Sequence, residues 1–529
     1  MLARSASLIR PIAGRAGLAF RRGRCRFSTG TEAAAIAAMP VDQWAAEFKK
    51  ATVDLASMDI HGISYEESAQ RMRELLRTGL LRHTDLNRNP ERFFLAHRLL
   101  AEHAPQLGPG FWIRFTVHYN LCAGTVLALG NAEQVAGLDD MQAAGELGCF
   151  ALTEKLAGVN SGLVVNTTAN WDETSQTFAL NTADVGACKN WISQGLVADK
   201  TTVVADLRID GKSYGPHAFL MNLREGGRVV PGVTLTDMGR KTIGNDLDNA
   251  SIAFDGVRLP KSALLNRYAD VEGGAYVQKV KGMPVFHMIG QRLFTGRVAV
   301  AQAALAFRRG LFASAKAYAD AKLCWSPGGG GNEEPVLSGV PQLRALFAEA
   351  DERAGFMEEY VGKCERELCV ALRNDSVPSV ALVEAIAVAK VRAVEDCIEL
   401  CHRLQNEVGS YALMAGTGFE QIDFLTCCKF AEGDSRILMQ KMARDRLKLF
   451  QKAQQEGGGG PQLPAAAVSA GTVGLWQQEN DTCASLAGAM AAAPKAERLA
   501  VWDDKWEDVY ALAAVVMERT TKEFMASSG

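Results

Sequence analysis

Residues 201–223 read TTVVADLRIDGKSYGPHAFLMNL. Two short runs rich in β-branched and aromatic side chains stand on either side of Asp210-Gly211, a strong turn former, and predict two strands. FALNT (178–182), VTLTDM (233–238) and ASIAFDGVRL (250–259) have the same character, with Gly226-Gly227 as a further turn. Strands of this length at these spacings predict a compact antiparallel β domain over residues 149–275.

On both sides of it the period becomes helical. Over residues 40–148, Asp42-Gln43-Trp44 opens one helix and Ser64-x-x-Glu67 is a capping box for a segment reaching Leu81. Asn89-Pro90-Glu91 begins another, and Trp112 to Leu129 is apolar with small residues, as a closely packed helix requires. Segments 286–322, 341–371, 379–408 and 435–452 predict four long helices, a bundle over residues 280–455. SPGGGGNEEP (326–335) separates the first two, since glycine and proline disfavour helix interiors. Gly457 to Gly460 with Pro461 reads as a linker into a tail, 456–529, with two further helices. The fold class is therefore α+β: helical domain, β domain, helical bundle.

Composition excludes several functions. The chain of 529 residues has a net charge of only -3 and is 48% hydrophobic, without the basic excess expected of a nucleic-acid or membrane-surface protein. No apolar run approaches the roughly 20 residues of a membrane span. The twelve cysteines show no zinc-ligand spacing. Cys397 and Cys401 with His402 are read as buried free thiols on one helical face rather than a metal site. No metal is expected, and reduced thiols fit a non-secretory compartment. Residues 1–30 hold seven arginines and no acid, the composition of a transit peptide. That predicts the mitochondrial matrix, with the peroxisome as the alternative.

Four segments carry chemistry: GCFALTE (148–154), KNWISQG (189–195), GNDLDNASIAFDGVRLPKSALLNRYADV (244–271) and KFAEGDSR (429–436). In this order they resemble the acyl-CoA dehydrogenase and acyl-CoA oxidase superfamily, over about residues 85 to 450. The resemblance implies FAD-dependent α,β-dehydrogenation of an acyl-CoA thioester to the trans-2-enoyl-CoA, the first step of fatty acid β-oxidation. That reaction needs a carboxylate at Cα, an electron sink facing Cβ and donors on the thioester carbonyl.

By resemblance, Glu432 is the base, followed by Gly433, which stands among the cofactor-binding positions. Thr153, Trp191, Ile192 and Ser193 line the flavin ring, and Gly195 permits close backbone approach. Two family features are altered. Lys322 stands where the family has an arginine for the pyrophosphate of a neighbouring subunit's FAD, keeping the charge without the bidentate geometry. Gly409, in EVGSY (407–411), keeps part of a Gly-Gly-x-Gly turn. Arg292 either meets the CoA phosphates or is a solvated arginine.

The electron acceptor divides the superfamily. DLNRNPERFFLAHRLL (85–100) and WDETSQTFALNT (171–182) are more like the oxidases, which use dioxygen. KNWISQG is more like the dehydrogenases, which use an electron-transferring flavoprotein. Oxidase is the expectation, dehydrogenase the alternative. The superfamily's habit implies a homodimer or homotetramer. An inactive scaffold with the same fold is the reading of another class, favoured by Lys322 and the altered glycine turn.

Overall fold

The computed structural model describes residues 30–53, 63–159, 161–280, 285–325, 335–457 and 462–527. Short helices fill the chain to Ala144, strands run from Gly148 to Gln278, and helices return from Val285. The Ser64 capping box is formed: Glu67 N donates to Ser64 Oγ at 3.2 Å and Ser64 N to Glu67 Oε2 at 2.9 Å. Its helix, Tyr65–Thr78, ends on a left-handed Gly79, short of Leu81. Pro90 occupies the first turn of Pro90–Glu102.

Lys200–Ile209 is the spine of the larger sheet. It pairs antiparallel with Lys212–Asn222. In the turn between them Asp210 and Gly211 take positive φ, 48° and 76°, the combination that suits the twist of paired strands. On its other edge it takes two parallel partners, Gly148–Ala151 and Thr168–Asp172. The antiparallel expectation holds for most pairings and is corrected for these two. Parallel neighbours need a long crossover, and the chain supplies one between Ala151 and Lys200, through a hairpin and a strand of the second sheet. Buried on both faces from Thr201 to Leu207, the spine could not show the alternation that betrays a half-exposed strand. The second sheet is antiparallel, in the order Lys189–Ser193, Asn249–Phe254, Val233–Asp237.

The bundle helices are Val285–Ala321, Pro341–Arg373, Val380–Val408 and Ser435–Gly457. They share one apolar core with the N-terminal helices, while the strands have their own. Cys397 and Cys401 lie in the bundle core. His402 is exposed and bonds Ile398 O at 2.9 Å, so it faces away from both thiols. Among the described residues no helix is long and apolar enough to cross a membrane. The expected single helix from Trp112 to Leu129 is interrupted: Pro109–Thr116 and Gly124–Leu129 flank a π-helical stretch, Val117–Ala123. Such widened turns often sit at functional sites.

The tail docks on the bundle through a buried carboxylate. Glu479, on Val473–Ala492, is fully buried and receives Arg446 Nε and Arg519 Nε, both at 2.5 Å. Arg519 lies on the last described helix, Trp506–Ala526. Glu479→Ala is expected to cost about 3–5 kcal/mol, because Arg446 stays buried without its counter-charge. Urea unfolding followed by tryptophan fluorescence checks it, and a loss below about 1 kcal/mol, the value of an exposed pair, contradicts this account of the docking.

Candidate active site

Glu432 lies in the turn between Asp423–Phe430 and Ser435–Gly457. Glu432 has φ 57° and Gly433 φ 98°. For a residue with a Cβ this left-handed conformation is costly and persists only where neighbours enforce it. Here Arg297 Nε donates to Glu432 O at 3.1 Å, and Lys390 Nζ donates to Gly433 O at 2.8 Å.

The carboxyl is driven into the interior between the π-helical stretch and the first bundle helix. Asn120 Nδ2 donates to Oε1 at 3.2 Å, whereas Oε2 has no hydrogen-bond partner among the described residues. On the opposite side the helix presents Gly296, where a Cβ would stand 2.2 Å from Glu432 Cδ. Only glycine leaves the carboxyl its place. Burial raises the Glu432 pKa to about 7, against the Asn120 hydrogen bond and the charges of Arg297 and Lys390. A carboxyl half-ionised near neutrality with one free oxygen is a competent proton acceptor.

Thr153 and Trp191–Gly195 form a second cluster. Asn190 N donates to Thr153 O at 2.8 Å, laying the loop after Gly148–Ala151 beside Lys189–Ser193. Beneath them Lys189 and Glu154 make a fully buried ion pair at 2.8 Å. Glu154 also accepts from Asn166 N and Thr167 N, at 2.7 and 2.9 Å. Trp191 takes φ 57° and leaves 57% of its surface exposed. Ile192 points into the β core, so its backbone alone faces this surface. Ser193 Oγ accepts from Asn249 Nδ2 at 3.2 Å. The approach that demands glycine at 195 is to the neighbouring strand, since a Cβ would lie 2.7 Å from Ala250 Cβ.

The turn is anchored by Arg114, which sequence reasoning passed over. Fully buried, it pairs with Asp248 at 3.4 Å and donates to Gln194 Oε1 at 3.3 Å. Gln194 Nε2 in turn donates to Gly148 O at 2.5 Å.

The π-helical stretch connects the two clusters. His118 Nδ1 accepts from Gly148 N at 3.1 Å, and two residues on Asn120 meets Glu432. Burial lowers the His118 pKa to about 3, so its ring stays neutral and can accept. Lys322 and Gly409 form a third group elsewhere. Tyr318 and Tyr411 stack at 3.6 Å between ring centres and bring their segments together. Tyr318 is about 33 Å beyond Gly296 along the same helix, at ~1.5 Å per residue. The chain therefore does not bring Lys322 and Gly409 to its own Glu432. The Arg292 side chain lies outside the described residues.

No family model matches the chain. Acyl-coenzyme A oxidase 2 of Yarrowia lipolytica is 29% identical over 358 residues, covering 63% of this chain and 50% of that protein. Peroxisomal acyl-coenzyme A oxidase 2 of Arabidopsis thaliana is 28% identical over 402 residues, covering 70% and 54%. By these matches the chain is similar to the oxidase-like branch of the acyl-CoA oxidase and dehydrogenase superfamily. It spans about half the length of these curated members. Solved structures in the superfamily share the fold. Acyl-CoA oxidase-2 of Caenorhabditis elegans superposes with a TM-score of 0.74 at 20% identity, over 94% of this chain and 78% of that one. Butyryl-CoA dehydrogenase of Megasphaera elsdenii gives 0.57 at 19% identity, over 76% and 97%.

The relatives overturn the mitochondrial expectation. Three of the Arabidopsis oxidases similar to this chain are named as peroxisomal. The stretch that suggested a mitochondrial leader, residues 1–29, lies outside the described residues. An arginine-rich, acid-poor composition is common to basic tails of many kinds and does not specify a compartment.

The raised pKa of Glu432 has a consequence for stability. The folded protein keeps this proton up to about pH 7 and the unfolded chain releases it near 4.5, so stability is lost as pH rises through that window. Glu432→Gln, which has no proton to lose, is expected to gain on the parent by on the order of 2–3 kcal/mol between pH 5 and pH 8. Thermal unfolding of both proteins at the two pH values checks this. Parallel curves contradict the buried carboxyl.

Proposed function

We propose that this chain binds FAD and removes hydrogen from the α and β carbons of an acyl-CoA thioester, with Glu432 as the base. The observation that carries the reading is the buried, half-ionised carboxyl with a free Oε2, presented by a turn that neighbours hold in a costly conformation. Catalytic bases are typically tuned by burial in this way.

Glu432 Oε2 takes the α-proton while Asn120 holds Oε1, so the carboxyl cannot rotate away from its substrate. The carbon–carbon double bond forms as the β-hydrogen departs with its electron pair, and the thioester stays intact. FAD, when bound, supplies the acceptor for that hydrogen and pair. Trp191 suits a flat ring system. It is a large aromatic left mostly exposed and held at a positive φ beside the exposed Thr153. Thr153, Trp191, Ser193 and the Ile192 backbone are the groups proposed to hold the ring. The fully buried Lys189–Glu154 and Arg114–Asp248 pairs keep their loops in place.

For the electron acceptor, the oxidases matched in sequence favour dioxygen. The KNWISQG segment favours the second reading, in which an electron-transferring flavoprotein takes the electrons. The names of the Arabidopsis relatives support a peroxisomal location.

Anaerobic mixing of the FAD-loaded protein with octanoyl-CoA or palmitoyl-CoA tests the reading. The flavin absorbance is expected to bleach in the parent. In Glu432→Gln the flavin stays bound and bleaching slows by about 10²–10⁴-fold, the range for loss of a general base. Normal bleaching in that variant rejects Glu432. Rapid recovery in air with hydrogen peroxide identifies an oxidase, and slow recovery the flavoprotein-linked reaction.

A further inference from the structure

We infer that Lys390 is a positioning residue: from the third bundle helix its ammonium grips the Lys429–Ser435 turn on both sides of Glu432 and so sets where the base stands. The inference rests on the proposed role of Glu432 and names the group that orients it.

Lys390 interrupts an apolar run, AIAVAKVRAV (385–394), on a core-facing position of Val380–Val408. Its side chain is fully buried. Nζ donates to Lys429 O at 2.6 Å, Gly433 O at 2.8 Å and Ser435 Oγ at 3.3 Å. An ammonium has three hydrogens, and all three end on one turn. Lys429 O is at the C-terminus of Asp423–Phe430, where carbonyls lack a helical partner. Gly433 O lies between the two helices. The acceptors thus stand three residues before Glu432 and one after it, and the grip spans its left-handed backbone.

Among the described residues the charge has no hydrogen-bonded carboxylate of its own. Glu395, one turn further along the helix, pairs instead with Lys429 at 3.0 Å. A buried cation held by two carbonyls and a hydroxyl is expensive, and a methionine would fill the same volume at lower cost. The turn is the return on that expense. The groups around Lys390 are Cys428, Asp434, Arg297 and Glu395; those around Glu432 are Asn120, Arg297 and Lys390. Burial lowers the ammonium pKa to about 7, so the grip and the base titrate in the same range.

The test uses Lys390→Met and Lys390→Arg in the full chain, the second keeping the charge without three hydrogens aimed at these acceptors. Two readouts are independent of turnover. Amide hydrogen exchange across residues 429–435 is expected to quicken about tenfold or more in Lys390→Met, with the Val380–Val408 helix unchanged. The Glu432 carboxyl, followed by infrared difference against Glu432→Gln, should titrate roughly one unit higher in Lys390→Met and less so in Lys390→Arg. In the FAD-loaded protein kcat should fall about tenfold or more with KM within about twofold, as for a group acting on the transition state alone. Unchanged exchange and unchanged titration in both variants overturn the inference. If both readouts move as expected while the parent fails to bleach with acyl-CoA, the proposed reaction falls and the grip stands.

Discussion

A carboxyl group taken out of water must be repaid by its surroundings or give up its charge. Glu432 sits at that boundary, and much of the helical architecture is arranged around it. Its Oε1 is met from the π-helical stretch, its backbone carbonyl and the space beside it from the first bundle helix, and the turn that carries it from the third. No one of these could hold the group alone. The N-terminal helices and the bundle can supply them together because they share one apolar core, although the whole β unit separates them in sequence. The contact at Gly296 is the tightest of these conditions. A helix-interior glycine costs up to about 1 kcal/mol against alanine, and a methyl group in its place would overlap the carboxyl carbon.

The β unit answers a different requirement. A flat ring needs a rigid exposed surface, whereas loops left to themselves are mobile. Rigidity comes from fully buried charge beneath that surface, Lys189–Glu154 under the Thr153 loop and Arg114–Asp248 under the Trp191 turn. Buried pairs contribute little net stability compared with apolar packing, but breaking one is costly. Their worth here is geometric: each ties two segments distant in sequence to a single arrangement. The neutral His118 does the same for Gly148, and through Asn120 two residues on, the Trp191 cluster and Glu432 are held in one frame.

The legible part of the chain was the local part. Helical period gave the four bundle helices to within a few residues, except that the last runs on to Gly457, and Ser64-x-x-Glu67 and Asp210-Gly211 did what such pairs do by themselves. The parallel pairings of Lys200–Ile209 were not legible, since strand neighbours are chosen over distances that no local pattern reports. The residues meeting Glu432 were hidden for a related reason. Gly296 and Lys390 are anomalies on apolar helical faces, a glycine where alanine serves better and a cation where leucine would. Each could have been noticed as an oddity, but nothing local says that one stands against the Glu432 carboxyl and the other holds the turn that carries it. Glu432 itself was found through the resemblance of its segment; its burial and free oxygen needed the fold. By resemblance Lys322 was given to the pyrophosphate of a neighbouring subunit's FAD and Gly409 to a turn against the cofactor, and the length of one helix separates them from this chain's own Glu432.

The electrostatic balance at Glu432 follows from these contacts. Burial alone would hold the group protonated at every physiological pH, as it does for carboxyls in wholly apolar sites. Arg297, Lys390 and Asn120 pull the other way, and burial still outweighs them, leaving the group near neutrality. A base far below the working pH abstracts weakly, and one far above it is already protonated. The two cations are themselves pushed down by burial, Arg297 to about 10 and Lys390 to about 7. Lys390 is therefore the adjustable member. While it is charged it lowers the cost of ionising Glu432, and as it loses its proton that support fades. The opposition also explains why the cations bond to backbone carbonyls rather than to the carboxyl oxygens. A direct ion pair at Oε2 would drive the pKa far down and, in the proposed reaction, occupy the position the α-proton must reach. Held one shell away, the same charges tune the carboxyl and leave Oε2 free.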